Sequence, residues 1–334
     1  GRIGASGAGL ADGGDVGPVG GGADHPGLRF DQPVGDGGYR WWYVDAISDD
    51  GSQALTMIAF IGSVFSPYYA RAIARRQGQA EHFCAMNVVL YQPRRHAWAM
   101  TERRRHSVVR DSAHLQIGPS RLHWDGAALH GVFDEITVPV PRRLKGRICV
   151  RPQALERAIY PLDEGGRHSW QPIAPRARIE VDFGPDCQWQ GHAYIDSNYG
   201  SRPMGLDFAS WHWSRGMSAS GARVLYDVQP RDAERYCLAL RFSSDRPVER
   251  FAAPPIAALP RGLWRVKRET RSDSAFRPMI VKTLEDSPFY MRSLIRTQLE
   301  GEIQEAVHES LDLNRFDQPW VRLLLPFRMP RHWR

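Results

Sequence analysis

The stretch GGYRWWYVDAISDDGSQALTMIAFIG (37–62) decides what kind of fold this chain adopts. Trp41, Trp42 and Tyr43 open a strand, and QALTMIAFIG (53–62) follows as a second strand-like run. Working outward, CAMNVVLYQ (84–92), HAWAMTER (96–103), ARIEVDF (177–183), ARVLYDV (222–228) and YCLALRF (236–242) share that character. They are rich in β-branched and aromatic residues or alternate in polarity, as half-buried strands do. In RLHWDGAALH (121–130), Asp125-Gly126 between two such runs signals a hairpin. Many short strands with frequent turns point to a mainly β protein of barrels or sandwiches.

Two helices are expected to interrupt the strands. SPYYARAIARRQG (66–78) has Ser66 as N-cap, Pro67 at the first helical position and Gly78 at the stop. SPFYMRSLIRTQLEGEIQEAVHES (287–310) repeats that start, and Tyr290, Leu294, Ile295, Leu299, Ile303 and Val307 then form one apolar stripe. It is read as a C-terminal helix, with Gly301 as a weak point. Residues 1–36 are Gly-rich and bury too little apolar surface to offset the ordering entropy, so they are read as a disordered tail.

The 334 residues allow two domains, and 42% hydrophobic with 24% charged residues fits a soluble globular chain. A net charge of +7 favours anionic partners such as a membrane face. The basic clusters TERRRH (101–106), PRRLKGR (141–147) and ARRQ (74–77) are solvated faces or docking points for an anionic bilayer; no nucleic-acid motif accompanies them. Cys84, Cys149, Cys187 and Cys237 lie far apart with no CxxC, which suggests reduced thiols in the cytoplasm. The longest apolar run, ALTMIAFIGSVF (54–65), is too short for a spanning helix, and a removed signal peptide stays possible because the chain starts at Gly1. No HxH, HExxH, GxSxG, GxGxxG or GxxxxGK[ST] pattern points to a metal, a nucleophilic serine or a nucleotide. The 11 tryptophans are core residues, or walls of a cavity for a long apolar ligand.

Several long blocks, in this order, carry a resemblance: residues 37–72, MTERRRHSVVRDS (100–112), GRHSWQPIAPRARIEV (166–181), GHAYIDSNYGSRP (191–203) and the tail from TLEDSPFYMRS (283–293) to PWVRLLLPFRMPR (319–331). Over about residues 37–330 the chain resembles the carotenoid 1,2-hydratase (hydroxyneurosporene synthase) family of the lipocalin-like group. The resemblance implies two consecutive lipocalin-like β-barrel domains, expected at 37–205 and 206–334, the second with a helix. It also implies addition of water to the terminal C1=C2 bond of an acyclic carotenoid such as neurosporene or lycopene, without a cofactor or a metal. A barrel of about eight strands is wide enough for one apolar ligand.

That reaction needs a strong proton donor, a stabiliser for a tertiary cation, one controlled water and a dry pocket. Asp196 is the expected donor, because burial keeps a carboxyl protonated. A strand puts Tyr194 on the same face as Asp196, and His168 on the same face as Trp170. Trp170 is assigned to the cation, His168 to the water, and Tyr194 to Asp196 or the cation. Trp211, Trp213, Tyr226 and Asp227 are expected at the substrate, with Asp227 as reserve acid and Asp45 as a weaker one. A cyclase or isomerase on another polyene, or a carotenoid carrier, are the competing readings. The substrate's apolarity predicts a peripheral enzyme on the cytoplasmic side of the membrane, with basic residues near the cavity mouth.

Overall fold

The computed structural model describes residues 24–218, 220–243 and 245–332. Twenty-one strands carry it. The first twelve are β1 (Tyr39–Ser48), β2 (Ala54–Ile61), β3 (Cys84–Tyr91), β4 (His96–Arg103), β5 (Val108–Arg110), β6 (His114–Ile117), β7 (Ser120–Trp124), β8 (Leu129–Ile136), β9 (Arg143–Pro152), β10 (Tyr160–Pro161), β11 (His168–Asp182) and β12 (Gln188–Gly200). They form one antiparallel sheet in the order β4-β3-β2-β1-β12-β11-β9-β8-β7-β6-β5, with β10 on β11. A bridge between Ala99 and Thr137, with Val138 N–H donating to Trp98 O at 2.9 Å, brings β4 back to the end of β8. Eight strands thereby all but close into a barrel. The Asp125–Ala128 turn joins β7 to β8, as the Asp-Gly signal predicts.

The remaining strands are β13 (Phe208–Ser218), β14 (Gly221–Pro230), β15 (Tyr236–Phe242), β16 (Glu249–Arg250), β17 (Ile256–Leu259), β18 (Arg268–Arg271), β19 (Met279–Asp286), β20 (Tyr290–Leu299) and β21 (Glu302–Asp312). Seven of them make a second sheet, β16-β15-β14-β13-β21-β20-β19, and β17–β18 stand as a separate ribbon. This corrects the expectation of two barrels. The edges β16 and β19 do not pair, so the second sheet stays open. It does not enclose a core of its own. One face lies on the outside of the barrel; the other takes the ribbon, where His308 Nε2 meets Glu269 O at 2.8 Å.

Side-chain alternation separates two cores. Trp42, Val44, Leu55, Met57, Met86 and Val88 point into the barrel and fill it. Their neighbours Trp41, Tyr43, Phe60, Val89 and Tyr91 point outward and pack against Trp211, Trp213 and Tyr226 of the second sheet. The barrel interior is therefore packed with side chains, and a mostly apolar cavity lies between the sheets.

Helix α1 (Pro67–Ala74) starts as expected, with Ser66 Oγ accepting from Tyr69 N, but it ends before Gly78, at Arg75 and the positive-φ Arg76. The expected helix over 287–310 is instead the β20–β21 hairpin. Glu300 and Gly301 both have positive φ (52° and 81°), and Leu299 pairs with Glu302 across this two-residue turn. Burial between the barrel and the ribbon outweighs the helical spacing of the apolar residues. The C-terminal helices come later, α2 (Leu313–Phe316) and α3 (Pro319–Arg328). Of the stretch 1–36 expected as a disordered tail, residues 25–30 pack onto the barrel. Residues 1–23 lie outside the described residues, but Leu28 and Phe30 are buried in the barrel core, and Trp42 Nε1 donates to Gly27 O at 2.8 Å. The glycines around PGLRF (26–30) conceal these anchors in the sequence.

A filled barrel makes Trp42 a stability residue. Trp42→Ala is expected to cost about 3–5 kcal/mol, read as a lower urea midpoint. A loss under ~1 kcal/mol would mean that the interior has slack for a ligand.

Candidate active site

Strand register assembles the site. Across β1 and β12, Trp41 faces Asn198, Tyr43 faces Asp196 and Asp45 faces Tyr194. On β11, Trp170 stands opposite Asn198 and His168 opposite Gly200. The second sheet supplies Trp213 opposite Tyr226, Glu309 opposite Trp213, and Arg292 opposite Glu309. The two faces meet, so carboxylates and aromatics from both sheets share one buried seam.

Asp196 is buried. Its Oδ2 accepts from Trp170 Nε1 at 2.9 Å and from the Tyr194 hydroxyl at 2.8 Å. Its Oδ1 has no hydrogen-bond partner among the described residues. Burial pushes this carboxyl up to about 7, against the two donors and helped by the nearby charges of Glu309 and Asp45. With Oδ2 occupied by two donors, the carboxyl proton belongs on Oδ1.

Asp45 shows the opposite outcome. Burial alone would raise it, but Arg292 and Arg215 outweigh that and hold it below the ordinary carboxylate range. Arg215 Nη2 lies 2.6 Å from Asp45 Oδ2, and Arg292 donates to Oδ1. Arg292 also donates to Glu309, whose Oε1 accepts from the Tyr43 hydroxyl at 2.8 Å.

Aromatic rings surround Asp196. Trp213 lies 5.2 Å from Tyr194 and 5.7 Å from Tyr43, centroid to centroid. Trp170 lies 5.1 Å from Tyr226, whose hydroxyl accepts from Asn198 Nδ2 at 2.9 Å. Next to this box is a mostly apolar cavity of about 160 Å³ between the sheets. Trp41, Tyr43, Trp211 and Glu309 line it on the box side, and Phe289 and Leu324 line it towards α3. Asp196 itself does not line the cavity. Tyr43 and Trp211 belong both to the cavity wall and to the ring cluster, so one aromatic layer separates the two.

The structure thus brings Asp196, Tyr194 and Trp170 together, with Trp213 and Tyr226 in the box and Trp211 on the cavity. His168 stands apart from the carboxyl. Its Nδ1 meets the Tyr39 hydroxyl at 2.9 Å and its Nε2 meets Asp207 Oδ2 at 2.8 Å, so both ring nitrogens are engaged within the protein. Burial lowers its pKa, against the pull of Asp207. Asp227 does not reach the site. It shares a face with His212 and is ion-paired to Arg235 at 2.6 Å and Arg271 at 2.5 Å. Asp45 is committed to its two arginines.

Sequence reasoning missed Tyr43, Arg292 and Glu309. Glu309 and Arg292 were hidden by reading 287–310 as a helix; Glu300-Gly301, a hairpin turn pair, is the signal that could have exposed them.

The family model for "Carotenoid hydratase CrtC" matches residues 57–334. Over 329 residues the chain is 49% identical to the acyclic carotenoid 1,2-hydratase of Thiocapsa roseopersicina, covering 98% of this chain and 81% of that protein. It is 52% identical over 308 residues to the protein of the same name from Rubrivivax gelatinosus, covering 91% and 76%. Kievitone hydratase from Nectria haematococca superposes with a TM-score of 0.50 at 9% identity, covering 88% of this chain and 98% of that one. That last likeness concerns the fold alone.

The raised carboxyl has a thermodynamic signature. A group protonated in the folded state and ionised in the unfolded one stabilises least at high pH. Asp196 therefore costs increasing stability as pH rises from its ordinary value, 3.8, to its folded value of about 7, and the loss then levels off. Asp196→Asn is expected to gain on the parent protein through that window by up to roughly 4 kcal/mol, measured by denaturation at stepped pH. A difference that does not change with pH would show an ordinary carboxylate.

Proposed function

The chain belongs to the carotenoid hydratase family, and on that premise we propose that Asp196 is the acid that starts its reaction. The enzyme is a hydro-lyase that adds water across the terminal C1=C2 bond of acyclic carotenes such as neurosporene and lycopene, giving tertiary alcohols. The observation that carries the assignment is the environment of Asp196. It is a buried carboxyl raised to about 7, with one oxygen unpartnered, inside an aromatic box beside an apolar cavity.

An unactivated alkene is a weak base, so the donor must be a neutral acid in a dry place. The π pair of C1=C2 takes the proton from Asp196 Oδ1 and forms the C2–H bond. C1 becomes a tertiary cation, and Asp196 becomes a carboxylate. The faces of Trp170, Trp213 and Tyr226 stand around this charge, each desolvated contact being worth about 2 kcal/mol. The new carboxylate pairs electrostatically with the cation. A water oxygen then bonds to C1 and passes its proton to Asp196, which restores the acid. The sum is carotene plus water, and the proton cycle closes on one side chain.

The other residues act through position. Tyr194 and Trp170 hold Oδ2, so that the proton stays on Oδ1. His168 ties β11 to Tyr39 and Asp207 and keeps Trp170 in register, which makes it a positioning residue. The substrate end group enters through the cavity and displaces the Tyr43 and Trp213 rings to reach the acid. Because the polyene resides in lipid, the enzyme works as a peripheral protein on the cytoplasmic face of an anionic membrane, a reading supported by its net charge of +7.

Asp196→Asn is expected to lose about 10³-fold or more in hydration of detergent-dispersed lycopene while keeping its fold. In heavy-oxygen water the parent protein should yield a labelled tertiary alcohol. Its rate should fall about tenfold per pH unit above the folded value of Asp196, as the neutral acid is depleted. Parent-level turnover by the folded variant would remove Asp196 from the mechanism.

A further inference from the structure

Helix α3 carries two apolar stripes. Val321 and Leu325 are buried and line the cavity. Trp320, Leu323, Leu324 and Phe327 follow the other helical spacing and lie outside, with Leu323 73% and Phe327 71% exposed. The loop 261–265 stands beside them. Its Leu263 is 85% exposed, and its Trp264 stacks on Trp320 at 5.9 Å between centroids.

The loop is held, not splayed. Leu263 N–H donates to Asp286 Oδ2 at 2.5 Å, and Arg265 N–H donates to Gly262 O at 3.0 Å. A fixed backbone thus presents a leucine and a tryptophan beside a helix that presents four more large apolar side chains. Scattered exposed leucines need no explanation, but a contiguous cluster marks an interaction surface. Leu324 is both exposed and part of the cavity lining, so the patch runs into the cavity mouth.

Its chemistry selects one occupant. Arg261 and Arg265 sit in the loop beside the apolar cluster, and Lys267, Arg322 and Arg328 lie next to it, these three ion-paired to Glu269 (2.6 Å), Asp317 (2.7 Å) and Glu285 (2.6 Å). Tryptophan, leucine and phenylalanine rimmed by basic residues match the boundary between acyl chains and anionic headgroups. No helix among the described residues is long and apolar enough to cross a membrane.

We propose that α3 and the 261–265 loop form a lipid-docking surface that seats the cavity mouth on an anionic bilayer. The bilayer's acyl region then continues into the cavity, and a polyene end slides from lipid to protein without crossing water. The hydratase reading supplies the reason to dock; the docking itself follows from the surface. Apolar insertion does most of the holding, and the rim charges select anionic lipid. This differs from docking by the basic clusters at 101–106 and 141–147, which high salt would abolish.

The test uses the full chain and the double variant L323E/F327E, at two positions that do not line the cavity. Flotation is measured with vesicles of phosphatidylglycerol and phosphatidylcholine, and with phosphatidylcholine alone, at low salt and in ~1 M salt. The parent protein should float with anionic vesicles and keep much of that binding in high salt. The variant should bind at least tenfold less, while hydrating detergent-dispersed lycopene at the parent rate. Parent protein that stays unbound, binding that vanishes in high salt, or a variant that floats as well as the parent would each overturn the docking surface. A parent protein that floats as described yet produces no alcohol in detergent would leave docking in place and defeat the hydratase reading.

Discussion

Arg215 and Arg292 of the second sheet converge on Asp45 of the barrel, and the site depends on that convergence. Both guanidiniums and the carboxyl are buried. Such a cluster adds little net stability over apolar packing, but removing one partner costs about 3–5 kcal/mol, because the others are left buried and unpaired. It therefore dictates how the sheets face each other. With Asp45 centred on Arg215 and Arg292, β13 and β20 are brought against β1, and Trp213 falls over Tyr43 and Tyr194. Both arginines bond to Asp45, and Arg292 also reaches Glu309, so neither bonds to Asp196, two pairs further along the β1–β12 ladder.

That separation explains how one seam holds carboxyls in different states. Asp45 has two cations and stays ionised. Glu309 shares Arg292 and takes the Tyr43 hydroxyl. Asp196 has only neutral donors, an indole and a phenol, and the negative charges of Glu309 and Asp45 oppose its ionisation. Environments that drive neighbouring titratable groups apart in pKa mark the acid among them. An aromatic box around a proton donor excludes water and offers π faces to the cation that the proton creates. The open second sheet is part of the same design. A closed barrel would bury its own interior, whereas an open sheet can lay its aromatic face over the barrel and leave a cavity between.

Much of this was legible in the residues. The alternation in RWWYVDA (40–46) announces a strand with Trp42 on one face and Tyr43 and Asp45 on the other. The two-residue spacing of Tyr194 and Asp196 puts both side chains on one face of their strand, and the Tyr194 hydroxyl donates to Asp196 there. What was not legible depends on long-range packing. Nothing local in HES (308–310) shows that Glu309 meets Tyr43, 266 residues away. The stripe from Tyr290 to Val307 fits a helix in isolation, and only Glu300-Gly301 argues for the hairpin. Asp227 looks like a substrate-site acid beside Tyr226, but adjacent strand residues face opposite ways, and Asp227 turns to Arg235 and Arg271. Whether the second half closes into its own barrel is set by what its faces cover, which single-strand patterns do not contain.

Burial between the two sheets raises the Asp196 carboxyl to about 7. Infrared difference spectroscopy across a pH titration reads this directly, with Asp196→Asn to identify the band. A protonated-carboxyl band that belongs to Asp196 is expected to persist through mildly acidic pH and to disappear around 7, the value to which burial raises it. If that band is already gone near the ordinary aspartate range, about pH 4, the residue is an ionised anchor and the proton must come from elsewhere.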